Sequence, residues 1–140
     1  MSSNWNLIIP SNYILGATSK NGNIIYAYDN TNCYISINAG NSFTSILTLS
    51  NITTISTSDD GSKVVIGGTD TYIYHSTNYG NTIVNNNDTG NWYCSCSSND
   101  GEDMIISRNP LDGESNTTYT LTNTGWGLAL NGEWFLYKNV

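Results

Sequence analysis

The chain has 140 residues, of which 38% are hydrophobic and only 11% charged, and its formal net charge is −7 at pH 7. This length accommodates one domain with a single core, and ten tyrosines and four tryptophans argue against a disordered chain. The negative charge would repel phosphate backbones and anionic lipids, so it argues against nucleic-acid and membrane partners.

The first predicted element is a short strand at residues 4–9. Its apolar run stops at Pro10, which makes it too short for a signal-peptide core or a membrane span. The three cysteines are an odd number, and Cys94 and Cys96 are spaced too closely on one strand for a routine disulfide. We therefore expect a soluble, unexported protein with reduced thiols.

After this strand, one pattern occurs three times: an Asn/Asp-Gly turn, an apolar run, and a Tyr-led strand that closes on Asn-x-Gly. The glycines of the first turns are Gly22, Gly61 and Gly101, which lie 39 and then 40 positions apart. Self-similarity at this period is typical of repeat folds such as propellers. We predict a single repeat domain over residues 1–140, with units at about 13–50, 51–90 and 91–128.

Each unit is predicted to contain four short strands and no helix. Asn-Gly and Asp-Gly favour a tight hairpin between the first two strands, and the continuous apolar second strands indicate burial on both faces. The first strands are predicted at 14–18, 52–57 and 92–97, the second at 24–28, 64–68 and 104–106, the third from Tyr34, Tyr74 and Tyr119, and the fourth around 43–47 and 82–85.

Two terminal segments are left over by this division. Residues 126–130 and 134–137 flank Asn131-Gly132 and predict a hairpin, and the strand at 4–9 has no partner in the repeats. We expect the terminal strands, 4–9 and 126–138, to complete a further blade within one chain or between two chains.

Residues 36–43, with the sequence Ser-Ile-Asn-Ala-Gly-Asn-Ser-Phe, resemble the Asp-box or BNR repeat. Its pattern, Ser/Thr-x-Asp-x-Gly-x-Thr/Ser-Trp/Phe, marks the hairpin between the third and fourth strands of a β-propeller blade. Residues 76–83 form a second copy that ends in Ile83, and the third copy has Leu121 in place of the hydroxyl residue. Each copy carries Asn where the pattern has Asp. The resemblance covers about residues 13–128.

The resemblance implies a β-propeller with four-stranded blades, in which the box builds a turn and is not a reactive site. A short amide side chain can accept hydrogen bonds from N–H groups of its own turn, and glycine supplies the positive φ that the turn needs. We assign structural turn roles to Ser36, Asn38, Gly40, Ser76, Asn78, Gly80, Asn123 and Gly125.

Three repeats are compatible with two ways of closing the fold. Closed propellers use about four to eight blades, whereas the repeats supply three, so two copies side by side would make a ring of adequate size. The alternative is a β-trefoil, which also uses three four-stranded units and needs no partner. Its usual Gln-x-Trp signature is absent.

Catalytic chemistry has little support in the residues present. Some Asp-box propellers are sialidases, whose chemistry needs an arginine cluster, and Arg108 is the sole arginine. A glycoside hydrolase would need a pair of carboxylates, but most acids here fall in the repeated turns, where solvated turn chemistry is the ordinary explanation. The candidate acids are Asp59, Asp60, Asp100, Glu102, Asp103, Glu114 and Glu133.

No metal or cofactor is predicted. His75, the sole histidine, is expected to be a packed or edge residue of a third strand. Cys94 and Cys96, together with the distant Cys33, lack the paired Cys-x-x-Cys spacing of a zinc site, and small buried thiols are the preferred interpretation. Without a helix, no helix N-terminus is present to bind phosphate.

The sequence thus favours a non-enzymatic, propeller-like binding or structural module that forms a homo-oligomer or joins a larger protein assembly. The alternative is a lectin, because loops rich in Asn, Ser, Thr and aromatic residues can bind glycans. Trp126, just after a turn, is the candidate ligand contact, whereas Trp92 and Trp134 are expected to pack between blades. The Asn, Ile and Thr bias suggests an AT-rich genome, so the expected location is the cytoplasm or a virion.

Overall fold

The computed structural model describes residues 12–108, 117–122 and 125–131 of the chain. All regular secondary structure in these ranges is β-strand, which confirms the predicted all-β class. No part of the described chain forms a helix long and apolar enough to cross a membrane. Several predicted features lie outside the described residues: the strands at 4–9 and 134–137, Asn123, Glu114 and Glu133.

The strands of the described ranges form three separate four-stranded antiparallel sheets, each with its strands in chain order or its reverse. We call these sheets blades one, two and three. Blade one contains β1 (Ile14–Thr18), β2 (Ile25–Tyr28), β3 (Asn32–Ser36) and β4 (Thr44–Thr48). Blade two contains β5 (Ile52–Thr57), β6 (Val64–Gly68), β7 (Thr71–Ser76) and β8 (Val84–Gly90). Blade three contains β9 (Trp92–Ser97), β10 (Met104–Arg108), β11 (Thr117–Thr122) and β12 (Gly125–Asn131).

This arrangement decides between the two predicted topologies. The four strands of each unit pair with one another, so each unit is a sheet of its own. The units do not share one closed barrel, and the β-trefoil alternative is therefore wrong for this chain.

The fourth strand of blade two begins later and runs farther than the predicted 82–85. Its sequence, Val-Asn-Asn-Asn-Asp-Thr-Gly, has the composition of a turn, yet it pairs with β7. An irregularity in the ladder makes this possible: Asn87 has a φ of 58°, and the Asn86 Oδ1 accepts a hydrogen bond from the Ile73 N–H at 3.0 Å where the register shifts. A side-chain amide thus replaces a backbone acceptor inside the sheet.

Residues 125–131 also differ from the prediction. The terminal segment 126–138 was expected to contribute to a further blade, but Gly125–Asn131 is the fourth strand of blade three, with Gly125 opposite Thr122. The physical reason is that β11 would otherwise expose an unpaired edge of N–H and C=O groups.

The blades pack face to face through apolar side chains. We call the face of a blade that points toward the following blade its forward face, and the opposite one its back face. The core between blades one and two contains Tyr26, Cys33, Ile35, Ile52, Ile55, Val64 and Ile66. The core between blades two and three contains Val65, Ile73, Trp92, Met104 and Ile106. Because blade two packs between blades one and three, its strand β6 is covered on both faces, and all five residues of β6 are buried.

Candidate functional site

We call residues 36–43 and 76–83, which resemble the Asp-box, the first and second box turns. The first box turn is closed by hydrogen bonds of its own side chains. Ser36 Oγ donates to Asn38 Oδ1 at 2.9 Å and accepts from the Gly40 N–H at 2.9 Å. Asn38 Oδ1 also accepts from the Ser42 N–H at 3.0 Å, and Asn38 Nδ2 donates to Ser42 Oγ at 2.9 Å. Gly40 has a φ of 86°, a conformation that favours glycine.

The second box turn repeats this network. Ser76 Oγ donates to Asn78 Oδ1 at 3.0 Å and accepts from the Gly80 N–H at 2.9 Å, and Asn78 Oδ1 accepts from the Thr82 N–H at 2.9 Å. Gly80 has a φ of 76°, and a Cβ atom there would lie 2.8 Å from the Cδ1 of Ile46. In the third copy, Asn123 lies outside the described residues and Gly125 begins β12.

The predicted Asn/Asp-Gly turn between the first two strands of each described blade also contains a serine, which the sequence prediction did not include. Ser19, Ser58 and Ser98 stand three residues before the turn glycines, in the repeated pattern Ser-x-Asn/Asp-Gly. Each hydroxyl donates to the Oδ1 of Asn21, Asp60 or Asp100, at 2.9, 2.7 and 2.7 Å. Each also accepts from the N–H five residues later, at 3.0, 3.1 and 3.1 Å. The signal that could have found them is their shared spacing with the glycines.

The turn carboxylates are held in their ionised form. The Ser58 hydroxyl and the Ser62 N–H donate to Asp60 and lower the pKa of its carboxyl, and the Ser98 hydroxyl and the Glu102 N–H do the same for Asp100. A general acid must carry a proton near neutral pH, so these pKa shifts favour a turn role over an acid role. Of the other acids, Asp59 pairs with Lys20 at 3.4 Å and Glu102 with Lys63.

Asp29 closes the next turn of blade one in the same manner. Its carboxylate accepts from the Thr31 and Asn32 N–H groups, both at 2.8 Å, and from the Tyr34 hydroxyl at 2.8 Å. The Thr31 N–H and then the Tyr34 hydroxyl lower the pKa of Asp29 to about 2, and the same carboxylate raises the pKa of Tyr34.

Backbone hydrogen bonds join the equivalent turns of successive blades into a ladder. The Lys20 N–H donates to the Asp59 carbonyl at 2.8 Å, and the Asp59 N–H donates to the Asn99 carbonyl at 2.8 Å. The buried Tyr26 hydroxyl adds a further bond to the Gly61 carbonyl at 2.8 Å, and burial raises the pKa of Tyr26. This turn ladder gives adjacent blades a defined relative position.

The remaining candidate residues take part in packing. The Trp92 ring is fully buried, and its Nε1–H donates to the Thr71 carbonyl at 2.8 Å, as predicted for a tryptophan between blades. Arg108 lies over that ring, with its Cζ 5.8 Å from the ring centroid, and donates to the Thr89 carbonyl. His75 is half-buried on β7, and burial lowers its pKa. Trp126 lies on β12, and the structure describes its backbone alone.

The cysteines correct the prediction of buried thiols. Cys33 is buried, which raises its pKa to about 12, but Cys94 and Cys96 are exposed. Their partners on β10 are Ser107 and Ile105, on the side of the blade opposite Met104 and Ile106. Cys94 and Cys96 therefore lie on the forward face of blade three, which no described residue covers with a further blade.

This forward face differs from the equivalent faces of the other two blades. Tyr26 of blade one and Val65 of blade two occupy its central position and are 0% exposed. The equivalent Ile105 of blade three is only half-buried. Ile105, Cys94 and Cys96 thus form an incompletely covered surface, which we call the open forward face.

The back face of blade one is covered unevenly. Ile25 and Ala27 at its centre are buried, whereas Leu15 on the first strand is 53% exposed. Tyr13 stacks on Tyr34 of this face, with ring centroids 4.6 Å apart. The exposed part of the back face is therefore its first strand.

Among the described side chains, no group of three or more His, Cys, Asp or Glu residues could hold a metal ion.

No family model matches this sequence, and no curated protein matches it significantly. Solved structures do match the fold. The chain superposes on TolB from Acinetobacter baumannii with a TM-score of 0.58 and 16% identity, over 83% of this chain and 31% of that one. It superposes on YCF48 from Cyanidioschyzon merolae with a TM-score of 0.58 and 14% identity, over 86% of this chain and 38% of that one.

A third match, to an ancestral GH74 enzyme, has a TM-score of 0.44 and 11% identity, over 89% of this chain and 26% of that one, and carries no argument. TolB and YCF48 are β-propeller proteins, and the chain spans about a third of the length of each. With its three four-stranded meander sheets, the chain has a β-propeller-type fold, as predicted.

Proposed function

We propose that this chain is a non-enzymatic assembly module whose propeller-type blades associate with further blades through the open forward face of blade three. The partner is a second copy of the chain or a larger protein. Such association would cover apolar and thiol groups that a closed propeller buries between neighbouring blades.

The open forward face of blade three is the observation that carries this proposal. Its central residue is half-buried, although both equivalent residues of the earlier blades are 0% exposed. Burial of apolar area stabilises an association by about 25 cal/mol per Å² before the costs of binding. The turn acids that engage their own backbone support a structural role over a catalytic one.

We also propose that the box turns act as Asp-box turns, in which Asn replaces Asp. The side-chain oxygen of Asn38 accepts from the Ser42 N–H, as a carboxylate oxygen would, and the Ser42 hydroxyl can donate to a second carboxylate oxygen. We expect Asn38→Asp to change the free energy of unfolding by less than about 0.5 kcal/mol. Asn38→Leu, which removes the acceptor, is the matched control and should lower it measurably in the same denaturation experiment. Equal losses in both variants would contradict this role.

The assembly proposal can be tested by light scattering coupled to size-exclusion chromatography. We expect the wild-type chain to run at a multiple of its 15.3 kDa mass. Cys94→Lys places a charge on the open forward face and should reduce the mass to that of a monomer, because a buried unpaired charge is costly. Ile37→Lys is the matched control: it adds the same charge at a box-turn residue that is 68% exposed, and it should leave the assembly intact.

The reactivity of Cys94 decides the meaning of a wild-type monomer. If the wild-type chain is monomeric and Cys94 resists a thiol reagent, the face is covered from within the same chain and the proposal is wrong. A monomer with a rapidly reacting Cys94 retains an open face and supports the version with a larger partner.

A further inference from the structure

Two thiols lie next to each other on the open forward face. Cys94 and Cys96 are two residues apart on β9, so their side chains point to the same face of the sheet. Their partners on β10 are Ser107 and Ile105, and both cysteines are exposed. Cys33, by contrast, is buried in the core between blades one and two. The exposed thiols of the described chain therefore form one pair on one surface.

The equivalent positions of blade two carry hydroxyl groups. Thr54 and Ser56 face the residues that stand six and four positions after the turn glycine of blade two. Cys94 and Cys96 face the residues at the same two positions after the turn glycine of blade three. On the covered face, the Thr54 hydroxyl lies 2.6 Å from the Ser95 hydroxyl of the next blade. Blade three thus replaces oxygen by sulfur at both positions, which changes the metal affinity of the face more than its shape.

The spacing of the two thiols suits a bridging ion better than a disulfide. Residues two apart on an antiparallel strand have Cβ atoms about 6.8 Å apart, whereas a disulfide needs them within about 4.5 Å. Metal–thiolate bonds of about 2.3 Å each would place the two sulfur atoms of a linear site about 4.6 Å apart. Side chains that lean toward each other along the strand can reach this separation. Cys94 and Cys96 can therefore hold one ion between them.

The surroundings of the pair favour a soft ion that needs only two ligands. Among the described side chains, no group of three or more His, Cys, Asp or Glu includes Cys94 and Cys96. The thioether of Met104 is buried on the opposite side of blade three. Zinc in proteins takes four ligands, and calcium takes six or more oxygen atoms. Thiolates select Cu(I), a closed-shell ion that is stable with two sulfur ligands in a line.

The charges of the chain favour a cation at this pair. Burial, and then the charge of Cys94, raise the pKa of Cys96, so the two sulfur atoms are close enough for their charges to interact. A cation between them replaces the repulsion of two thiolates by attraction. The formal net charge of −7 adds a favourable long-range field.

We propose that Cys94 and Cys96 form a binding site for one Cu(I) ion on the open forward face of blade three. Each thiol loses its proton and each sulfur donates an electron pair to the ion, so binding releases two protons and changes no oxidation state. This inference goes beyond the proposed function and does not rest on it, because both ligands belong to one chain.

The test is a titration of the full-length chain with Cu(I), kept reduced by ascorbate under nitrogen, in competition with the coloured chelator bicinchoninate. We expect the wild-type chain to take one Cu(I) per chain from the chelator. Cys94→Ser and Cys96→Ser should each abolish this uptake, because a single thiolate remains. X-ray absorption of the bound copper should show two sulfur ligands. Zinc offered in a parallel titration should stay with its chelator, since the pair supplies half of the ligands that zinc needs.

Two variants serve as matched controls. Cys33→Ser removes the thiol outside the pair and should keep the uptake. The double variant Cys94→Ser, Ser95→Cys retains three cysteines but moves one to the back face, where residue 95 pairs with Ile106, and it should lose the uptake. Circular dichroism of each variant confirms that a loss of copper does not come from a loss of folding.

The outcomes separate this inference from the proposed function, which the mass of the metal-free chain tests. A wild-type chain that takes up no copper, or serine variants that retain it, would overturn this site and leave the assembly module in place. One ion for every two chains would indicate a sulfur from each copy and would also overturn it. Copper uptake by a chain whose mass and Cys94 reactivity contradict the assembly would overturn the proposed function alone.

Discussion

The two interfaces between blades use equivalent positions but fill them differently. Between blades two and three, Trp92 packs against Gly67, where a Cβ atom would lie 2.7 Å from the Trp92 Cβ. Between blades one and two, the equivalent residues are Ile52 and Tyr28, which belong to one apolar cluster. In the second interface the large residue, Trp92, lies on a first strand and the small one, Gly67, lies on a second strand. In the first interface the large residue, Tyr28, lies on a second strand and the smaller one, Ile52, lies on a first strand. The repeat maintains the filled volume between blades and not the residue at each position.

Removing the large residue of the second interface should have the largest effect. We expect Trp92→Ala to lower the free energy of unfolding by about 3–5 kcal/mol, because it leaves a cavity. It also removes the donor to the Thr71 carbonyl. Chemical denaturation followed by circular dichroism measures the loss. Tyr93→Ala, on the same strand at 51% exposure, should cost less than about 0.5 kcal/mol. A Trp92→Ala loss as small as that would remove the basis of the comparison.

Enlarging the small residue should have the next largest effect. We expect Gly67→Ala to cost about 1–3 kcal/mol, because its methyl group would meet Trp92 and Ile106. In an Ile106→Val background, which removes the Ile106 Cδ1 atom that would lie 2.7 Å from the added methyl group, the same Gly67→Ala substitution should cost less. A double-mutant cycle measures this coupling. Additive losses would show that the two positions do not exchange volume.

The third prediction concerns the turn serines, which hold the turn between the first two strands of a blade. Ser58 is 1% exposed, and its hydroxyl serves both the Asp60 carboxylate and the Lys63 N–H. We expect Ser58→Ala to cost about 1–2 kcal/mol, because the part-buried Lys63 N–H loses its acceptor. Thr77→Ala, at an exposed position of the second box turn, is the control. Equal values for both variants would contradict the role that we give to this serine.

The smallest expected effect concerns pH. The hydrogen bond from Ser58, followed by those from Ser62, lowers the pKa of Asp60 in the folded chain. The stabilisation is therefore present above the unfolded pKa of about 3.9 and is lost as the pH falls through the folded value. Asp60→Asn imitates Asn21 of blade one and should flatten the acid side of the stability curve. A curve of unchanged shape would show that Asp60 makes no such contribution.

Much of the fold could be predicted because the strands and turns are encoded locally. The three first strands have the predicted bounds, since each ends at a polar turn with an Asn/Asp-Gly signal. The strand Val84–Gly90 could not be bounded from composition, because its Asn side chains replace backbone bonds that only the folded sheet reveals. The segment Gly125–Asn131 was misassigned because the sequence offered it two hairpin partners, β11 before it and the predicted strand 134–137 after it, and the structure pairs it with β11.

The candidate surface was less predictable than the fold. The sequence predicted Cys94 and Cys96 on a first strand. It could not show that both are exposed on the forward face of blade three. Nor could it show that Thr54 meets Ser95, since contacts between blades depend on register across separate sheets. The serines Ser19, Ser58 and Ser98 were within reach of sequence analysis, because they repeat with the turn glycines.

A crystal structure of the full-length chain at high protein concentration tests the central claim most directly. The account predicts that another chain covers Cys94, Cys96 and Ile105 on the open forward face of blade three. A single chain whose own residues cover the forward face of blade three would contradict it.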